Sequence, residues 1–160
     1  MGTASVTDRA LAQNRYLVFT SRTDLIPTDT NGRRDIYWRD LRTGEMKVIS
    51  RSSSGAQGNA DSTDASISEN GRYVVFRSLA TNLVAGDGNA AADIFRRDLV
   101  TGRTVRVSVD AGGGDSNGPS LTPAISATGR YVVFASSATD LVASDSGGAL
   151  AIACGPALDR

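Results

Sequence analysis

A chain of 160 residues lies in the size range of one domain and can bury a core of its own. Seventeen basic and seventeen acidic residues cancel, so no net field draws it to nucleic acid or to an anionic membrane surface, and no apolar run approaches the roughly 20 residues of a membrane helix. With no histidine and a single cysteine, Cys154, the chain cannot assemble Ser-His-Asp or Cys-His catalysis, His-ligated zinc chemistry or an internal disulfide.

In chain order, the opening Met1-Gly2-Thr3-Ala4-Ser5-Val6 has no basic stretch followed by an apolar one, and so shows no secretory signal. Gln13-Asn14 reads as a turn into Arg15-Tyr16-Leu17-Val18-Phe19, a β-branched and aromatic strand. A second strand, Asp35-Ile36-Tyr37-Trp38-Arg39-Asp40-Leu41, ends at the turn residues Thr43-Gly44. The serines from Ser50 to Ser54 have no general base near them in sequence and read as a solvated connection.

From there the pattern repeats. Ala65-Ser66-Ile67-Ser68 forms a short strand, and Asn70-Gly71 supplies the positive φ of a tight hairpin turn. Arg72-Tyr73-Val74-Val75-Phe76 repeats Arg15 to Phe19 at an offset of 57, and returns as Arg130-Tyr131-Val132-Val133-Phe134 at 58. Asp93-Ile94-Phe95-Arg96-Arg97-Asp98-Leu99 repeats the Asp35 strand, and Thr101-Gly102 repeats Thr43-Gly44, again at 58. The one-residue difference falls in Ser21-Arg22-Thr23-Asp24-Leu25, which is shorter by one than Ser78 to Leu83 and Ser136 to Leu141. Thr104-Val105-Arg106-Val107-Ser108 alternates polar and apolar, as an edge strand should. Thr128-Gly129 marks the third hairpin turn.

A fixed period is the signature of a repeat architecture. Four short strands per unit with no helical periodicity make each unit a blade, and the uninterrupted Tyr73 to Phe76 run suits a strand covered on both faces. The expected fold is all-β: β-propeller blades of four antiparallel strands, about two and a half of them in this chain, a partial propeller. A β-sandwich shares the short strands and Gly-rich turns, and the fixed period favours the propeller. The copies span about 11–64, 65–122 and 123–145.

The segments Ser68-Glu69-Asn70-Gly71-Arg72-Tyr73-Val74-Val75-Phe76, Ala80-Thr81-Asn82-Leu83-Val84, Asp87-Gly88-Asn89, Asp93 to Leu99 and Thr101-Gly102 together resemble bacterial TolB-like propeller proteins with WD40-like (PD40) repeats. The resemblance covers residues from about Leu11 to Asp145 and is specific for the repeat, not for a ligand. It implies a six-bladed ring as a rule, a periplasmic or secreted location, and a protein partner. It also implies that such propellers can stand before serine-peptidase domains of the α/β-hydrolase type.

After Leu141-Val142 the pattern stops. Residues 146–160, a small-residue tail containing Gly147-Gly148-Ala149-Leu150-Ala151-Ile152-Ala153-Cys154, carry none of the expected positions. Closed propellers typically need four to eight blades. The expectation is therefore a fragment of a longer protein, or a subunit that completes its ring by self-association through open blade faces.

Candidate chemistry is sparse. Asp29, Asn31 and Asp35 recur as Asp87, Asn89 and Asp93, and oxygen ligands at this spacing around a Gly-rich bend suit Ca²⁺. Their other reading is Asx-turns, in which the side chains bond their own backbone. Calcium is the one cofactor the sequence suggests, and no catalytic residue is assigned. Arg39-Asp40, Arg96-Arg97-Asp98 and the arginines before each tyrosine (Arg15, Arg72, Arg130) read as ion pairs and turn caps. Trp38 reads as packing between blades, with a partner or sugar as its alternative use.

Overall fold

The computed structural model describes residues 6–142. They form ten strands: β1 (Val6–Ala12), β2 (Tyr16–Ser21), β3 (Asp35–Asp40), β4 (Met46–Val48), β5 (Ser62–Ile67), β6 (Tyr73–Ser78), β7 (Asp93–Asp98), β8 (Thr104–Arg106), β9 (Ser120–Ile125) and β10 (Val132–Ser136). Neighbours in sequence pair antiparallel, giving four-stranded sheets β1-β2-β3-β4 and β5-β6-β7-β8 and a two-stranded β9-β10. These are two whole propeller blades and the first half of a third. Among the described residues no helix is long and apolar enough to cross a membrane. The tail at 146–160 lies outside the described residues.

Blades begin earlier than the copy boundaries at 65 and 123. β5 starts at Ser62 and β9 at Ser120, because each carries a bulge in its polar first half. Asp64 (φ 55°) and Thr122 (φ 47°), one period apart, adopt positive φ inside these bulges. Polar residues at a bulge break the period-2 pattern, which hid the strand. β1 begins at Val6, five residues before Leu11, and is bulged too.

The hairpin turns also differ between copies. Gln13 and Asn14 both have positive φ (53° and 49°), and Arg15 N–H bonds Ala12 O at 3.0 Å, within a three-residue connection between the paired Ala12 and Tyr16. In blades 2 and 3 only the glycine does: Gly71 at 72° and Gly129 at 77°. There the turn is one residue longer, with Gly71 N–H on Ser68 O at 2.9 Å and Asn70 Oδ1 accepting from Arg72 N–H at 3.0 Å.

Blades pack face to face. Val18, Ile36 and Trp38 of blade 1 meet Val74, Phe76 and Phe95 of blade 2 in one core. The opposite face of blade 2, Val75 and Ile94, meets Val132 and Phe134. Burial on both faces is why β6 reads as a continuous apolar run. The glycine turns fix the spacing. A Cβ on Gly71 would stand 2.3 Å from the Tyr16 ring of the blade before, and one on Gly129 would stand 2.1 Å from Tyr73. Tyr16 in turn stacks on Trp38 of its own blade at 5.5 Å, and Trp38 is part of the core shared by blades 1 and 2. Arg96, at the matching position, lies over Tyr73 at 4.7 Å.

The outward faces are unequal. On blade 1, Phe19, Tyr37 and Val48 are covered by Leu17, Leu25, Ile26 and Met46. On blade 3, Tyr131 (44%) and Val133 (39%) are exposed, though Val75, the counterpart of Val133, is wholly buried and Tyr73, that of Tyr131, is half-buried.

Candidate functional site

The six residues suggested for metal fall into two loops, one in blade 1 and one in blade 2. Each loop joins the second strand to the third, and each packs on the connection leading to the next blade. The shared part is built alike. Asn31 Oδ1 accepts from Arg33 N–H at 2.8 Å, while its amide reaches Gly58 O at 3.1 Å. Asn89 does the same with Ala91 N–H (2.9 Å) and Ser116 O (3.1 Å). The asparagines therefore make the Asx-turn and also tie the loop to the connection. The aspartates do not bond their own backbone.

Asp35 and Asp93 are wholly buried at the start of the third strand. Ser50 Oγ donates to Asp35 Oδ1 and accepts from Ile36 N–H at 3.1 Å. Ser108 repeats this with Asp93 Oδ1 (2.5 Å) and Ile94 N–H (2.9 Å). The serine run is thus no plain solvated connection. Ser50 and Ser52 are buried, and Ser53 Oγ accepts from Thr104 N–H of blade 2 at 2.9 Å. The backbone at 51–52 also receives Arg97, whose guanidinium donates to Arg51 O (3.1 Å) and Ser52 O (2.8 Å).

The balancing groups differ between the loops. In blade 2 the guanidinium of Arg106, itself buried, lies between Asp115 (2.5 Å), Asp87 (3.3 Å) and Asp93 (3.8 Å). Burial pushes the Asp87 and Asp93 carboxyls up, against the pull of Arg106. Asp115 is held down, first by Gly88 N–H and then by Arg106.

Blade 1 has Val48 where Arg106 stands and Gln57 where Asp115 stands. Asp29 is satisfied by neutral donors: Tyr37 Oη on one oxygen and Gln57 Nε2 on the other at 2.8 Å. Burial and the bond to Asp29 raise the Tyr37 phenol, keeping it a donor. Burial pushes the Asp35 carboxyl up, with Ser50 and then Asn31 favouring the anion. Asp35 Oδ2 is buried with no hydrogen-bond partner. Among the described residues no three His, Cys, Asp or Glu side chains converge to hold a metal.

Elsewhere charge serves the blade edges. Arg15 makes a two-pronged bond to Asp40 (3.1 and 2.7 Å), and Arg72 one to Asp98 (3.0 and 2.7 Å). Both carboxyls are held well below the usual range by these guanidiniums, and both cap the following turn. A second clasp escaped the sequence reading. Asn59 exchanges bonds with Thr81 (2.9 and 3.0 Å) and donates its N–H to Asn82 Oδ1 at 3.0 Å; Asn117 repeats it with Thr139 and Asp140. Identity at the 58-residue offset was the available signal.

A groove of about 340 Å³ opens between blades 1 and 2, lined by Tyr16, Trp38, Lys47, Gly71, Arg72 and Val100. Tyr16 stacks on the Trp38 ring and the Lys47 ammonium lies 5.4 Å from its centre. The indole is thus packed against Tyr16 on one face, with the exposed Lys47 side chain over its ring.

Similar folds occur among solved structures. The tricorn protease matches over 93% of this chain at 21% identity and a TM-score of 0.54. The β-propeller domain of the Trilobed protease from Pyrococcus furiosus, with an open velcro topology, matches over 97% at 10% identity and a TM-score of 0.53. TolB from Acinetobacter baumannii matches over 93% at 15% identity with a TM-score of 0.44, too loose to add to the argument. The chain spans 12% of the tricorn structure and 44% of the Trilobed one. At these identities the likeness is one of fold, and the fold is a β-propeller. No family model and no curated protein sequence matches the chain.

Proposed function

We propose that this chain is a non-catalytic β-propeller module that works by binding protein, and that the open face of blade 3 is where the next β-sheet packs. One observation carries the reading. Tyr131 and Val133 repeat Tyr73 and Val75 residue for residue, yet stand in solvent where Val75 is wholly buried. The occupant that fits is a further blade of this repeat, from a longer chain or a second copy. Such a blade presents a glycine at positive φ to the tyrosine ring, as Gly71 and Gly129 do.

The absence of histidine from the sequence supports a non-catalytic role, as does the use of the blade-edge carboxylates as fasteners. A second reading makes these blades the propeller portion of a larger enzyme such as a serine peptidase. Two of the similar folds belong to proteins named as proteases, and this chain spans a minor share of each. Either way the chemistry lies outside these residues. The resemblance also carries a periplasmic or secreted location into the proposal.

Light scattering of the purified chain tests the packing face. Concentration-dependent association that Val133→Glu abolishes supports the reading. A monomer at all concentrations, folded and indifferent to Val133→Glu, refutes a second copy as the occupant.

A further inference from the structure

The two carboxylate loops solve one electrostatic problem in different ways, and the blade 1 solution is incomplete. Burying a carboxylate is costly unless it is paired, protonated or metal-bound. In blade 2 the pairing is internal: the Arg106 guanidinium sits within 3.3 Å of Asp87 and 3.8 Å of Asp93. In blade 1 the same strand position is Val48, which supplies no charge.

The neutral replacements reach only one of the two acids. Tyr37 and Gln57 bond Asp29, and Ser50 bonds Asp35 Oδ1. Asp35 Oδ2 is the atom left over, on a residue with no exposed surface. The matching oxygen in blade 2, Asp93 Oδ2, takes Asn89 Nδ2 at 3.1 Å and faces Arg106. The Asn31 amide donates to Gly58 O as Asn89 does to Ser116 O, and its remaining N–H favours the Asp35 anion without closing a hydrogen bond to Oδ2. Arg51, the nearest charge that favours the Asp35 anion, directs its own donors to Thr28 O (2.7 Å) and Gly55 O (3.0 Å).

We propose that blade 1, and not blade 2, binds an external hard cation of the Ca²⁺ class beside Asp29 and Asp35, in the place that the Arg106 guanidinium fills in blade 2. The charged ligands are the two carboxylates, with Asn31 and Gln57 at the rim, their amide oxygens shared with the Arg33 N–H and Thr30 donors they already accept from. All offer oxygen donors, which suits Ca²⁺ and its six to eight oxygens, water completing the shell. The proposal halves the set suggested by sequence: Asp87, Asn89 and Asp93 have the same spacing, but their cation is already part of the chain.

The test uses chelator-stripped whole chain with CaCl₂, and with TbCl₃ as a luminescent stand-in excited through Tyr37. The expected result is a saturable rise of a few degrees in Tm with Ca²⁺, and Tb³⁺ emission that Ca²⁺ competes away. Asp35→Asn should remove both responses and Asp93→Asn should leave the Ca²⁺ response intact. Val48→Arg should remove the Ca²⁺ response by supplying the charge internally, and it decides the matter if Asp35→Asn does not fold. No response to either ion in the natural sequence overturns the proposal. A Ca²⁺ response that survives Asp35→Asn or Val48→Arg, or that disappears in Asp93→Asn, also overturns it.

Discussion

Arg72-Tyr73-Val74-Val75-Phe76 and Arg130-Tyr131-Val132-Val133-Phe134 are identical in sequence and unlike in surroundings. In blade 2 the run is enclosed: Val74 and Phe76 face blade 1, and Val75 faces blade 3. In blade 3, Val132 and Phe134 are buried against blade 2, while Val133 looks outward. Burial here is a property of the neighbour and not of the residue. A repeat sequence specifies which side chains can be buried, and the next blade decides whether they are.

The largest effect should come from placing the same charge on both copies. Val75→Asp puts an unpaired carboxylate in a dry joint and should cost more than about 4 kcal/mol in urea unfolding. Val133→Asp, at dilute protein, should stay within about 0.5 kcal/mol. Equal penalties would mean that the blade 3 face is covered after all.

Next, Arg106→Met leaves Asp87 and Asp93 without their cation and should destabilise by about 3 kcal/mol. Val48→Met, at the matching position of blade 1, should cost under about 1.5 kcal/mol, since no charge is removed.

The glycine turns give a smaller contrast. Gly71→Ala combines positive φ with a Cβ driven into the Tyr16 ring, for about 2 kcal/mol. Asn14→Gly, in a turn that already holds positive φ, should change stability by a few tenths of a kcal/mol.

The smallest effect is one of pH. Arg72 holds the Asp98 carboxyl below its ordinary value, so this pair stabilises the fold above the ordinary carboxylate range, and its contribution is lost as pH falls through the lowered pKa. Arg72→Gln should therefore lower stability at neutral pH and make no difference in strong acid. Arg130→Gln should show no such pH dependence, because among the described residues Arg130 lies over the Tyr131 ring at 5.5 Å and makes no ion pair. Melting curves from pH 7 down to pH 2 would compare the two.

The sequence revealed the architecture because apolar strands and turn residues recur at fixed offsets, and the central strands β2, β6 and β10 emerged nearly whole. It hid what depends on local polarity or on contacts between blades. β5 and β9 start in polar, bulged segments whose strand character comes from pairing with β6 and β10, not from pattern. Ser50 looked like one serine of a hydrophilic run, although Ser108 one period later marks a recurring position. Arg106 read as an ordinary polar residue of an edge strand. Its partners Asp87 and Asp115 lie 19 residues before and nine after, and only the fold brings them together. The carboxylate loops were recognisable as a repeated motif, but which of them carries its own cation was not.

Hydrogen–deuterium exchange of the dilute whole chain, compared strand by strand, addresses the central claim most directly. If β6 is locked between two blades and β10 awaits one, the amides of β6 should exchange orders of magnitude more slowly than those of β10, and β10 alone should gain protection as concentration rises. Equal protection of β6 and β10 in the dilute monomer would contradict an open blade face, and with it the role proposed for this surface.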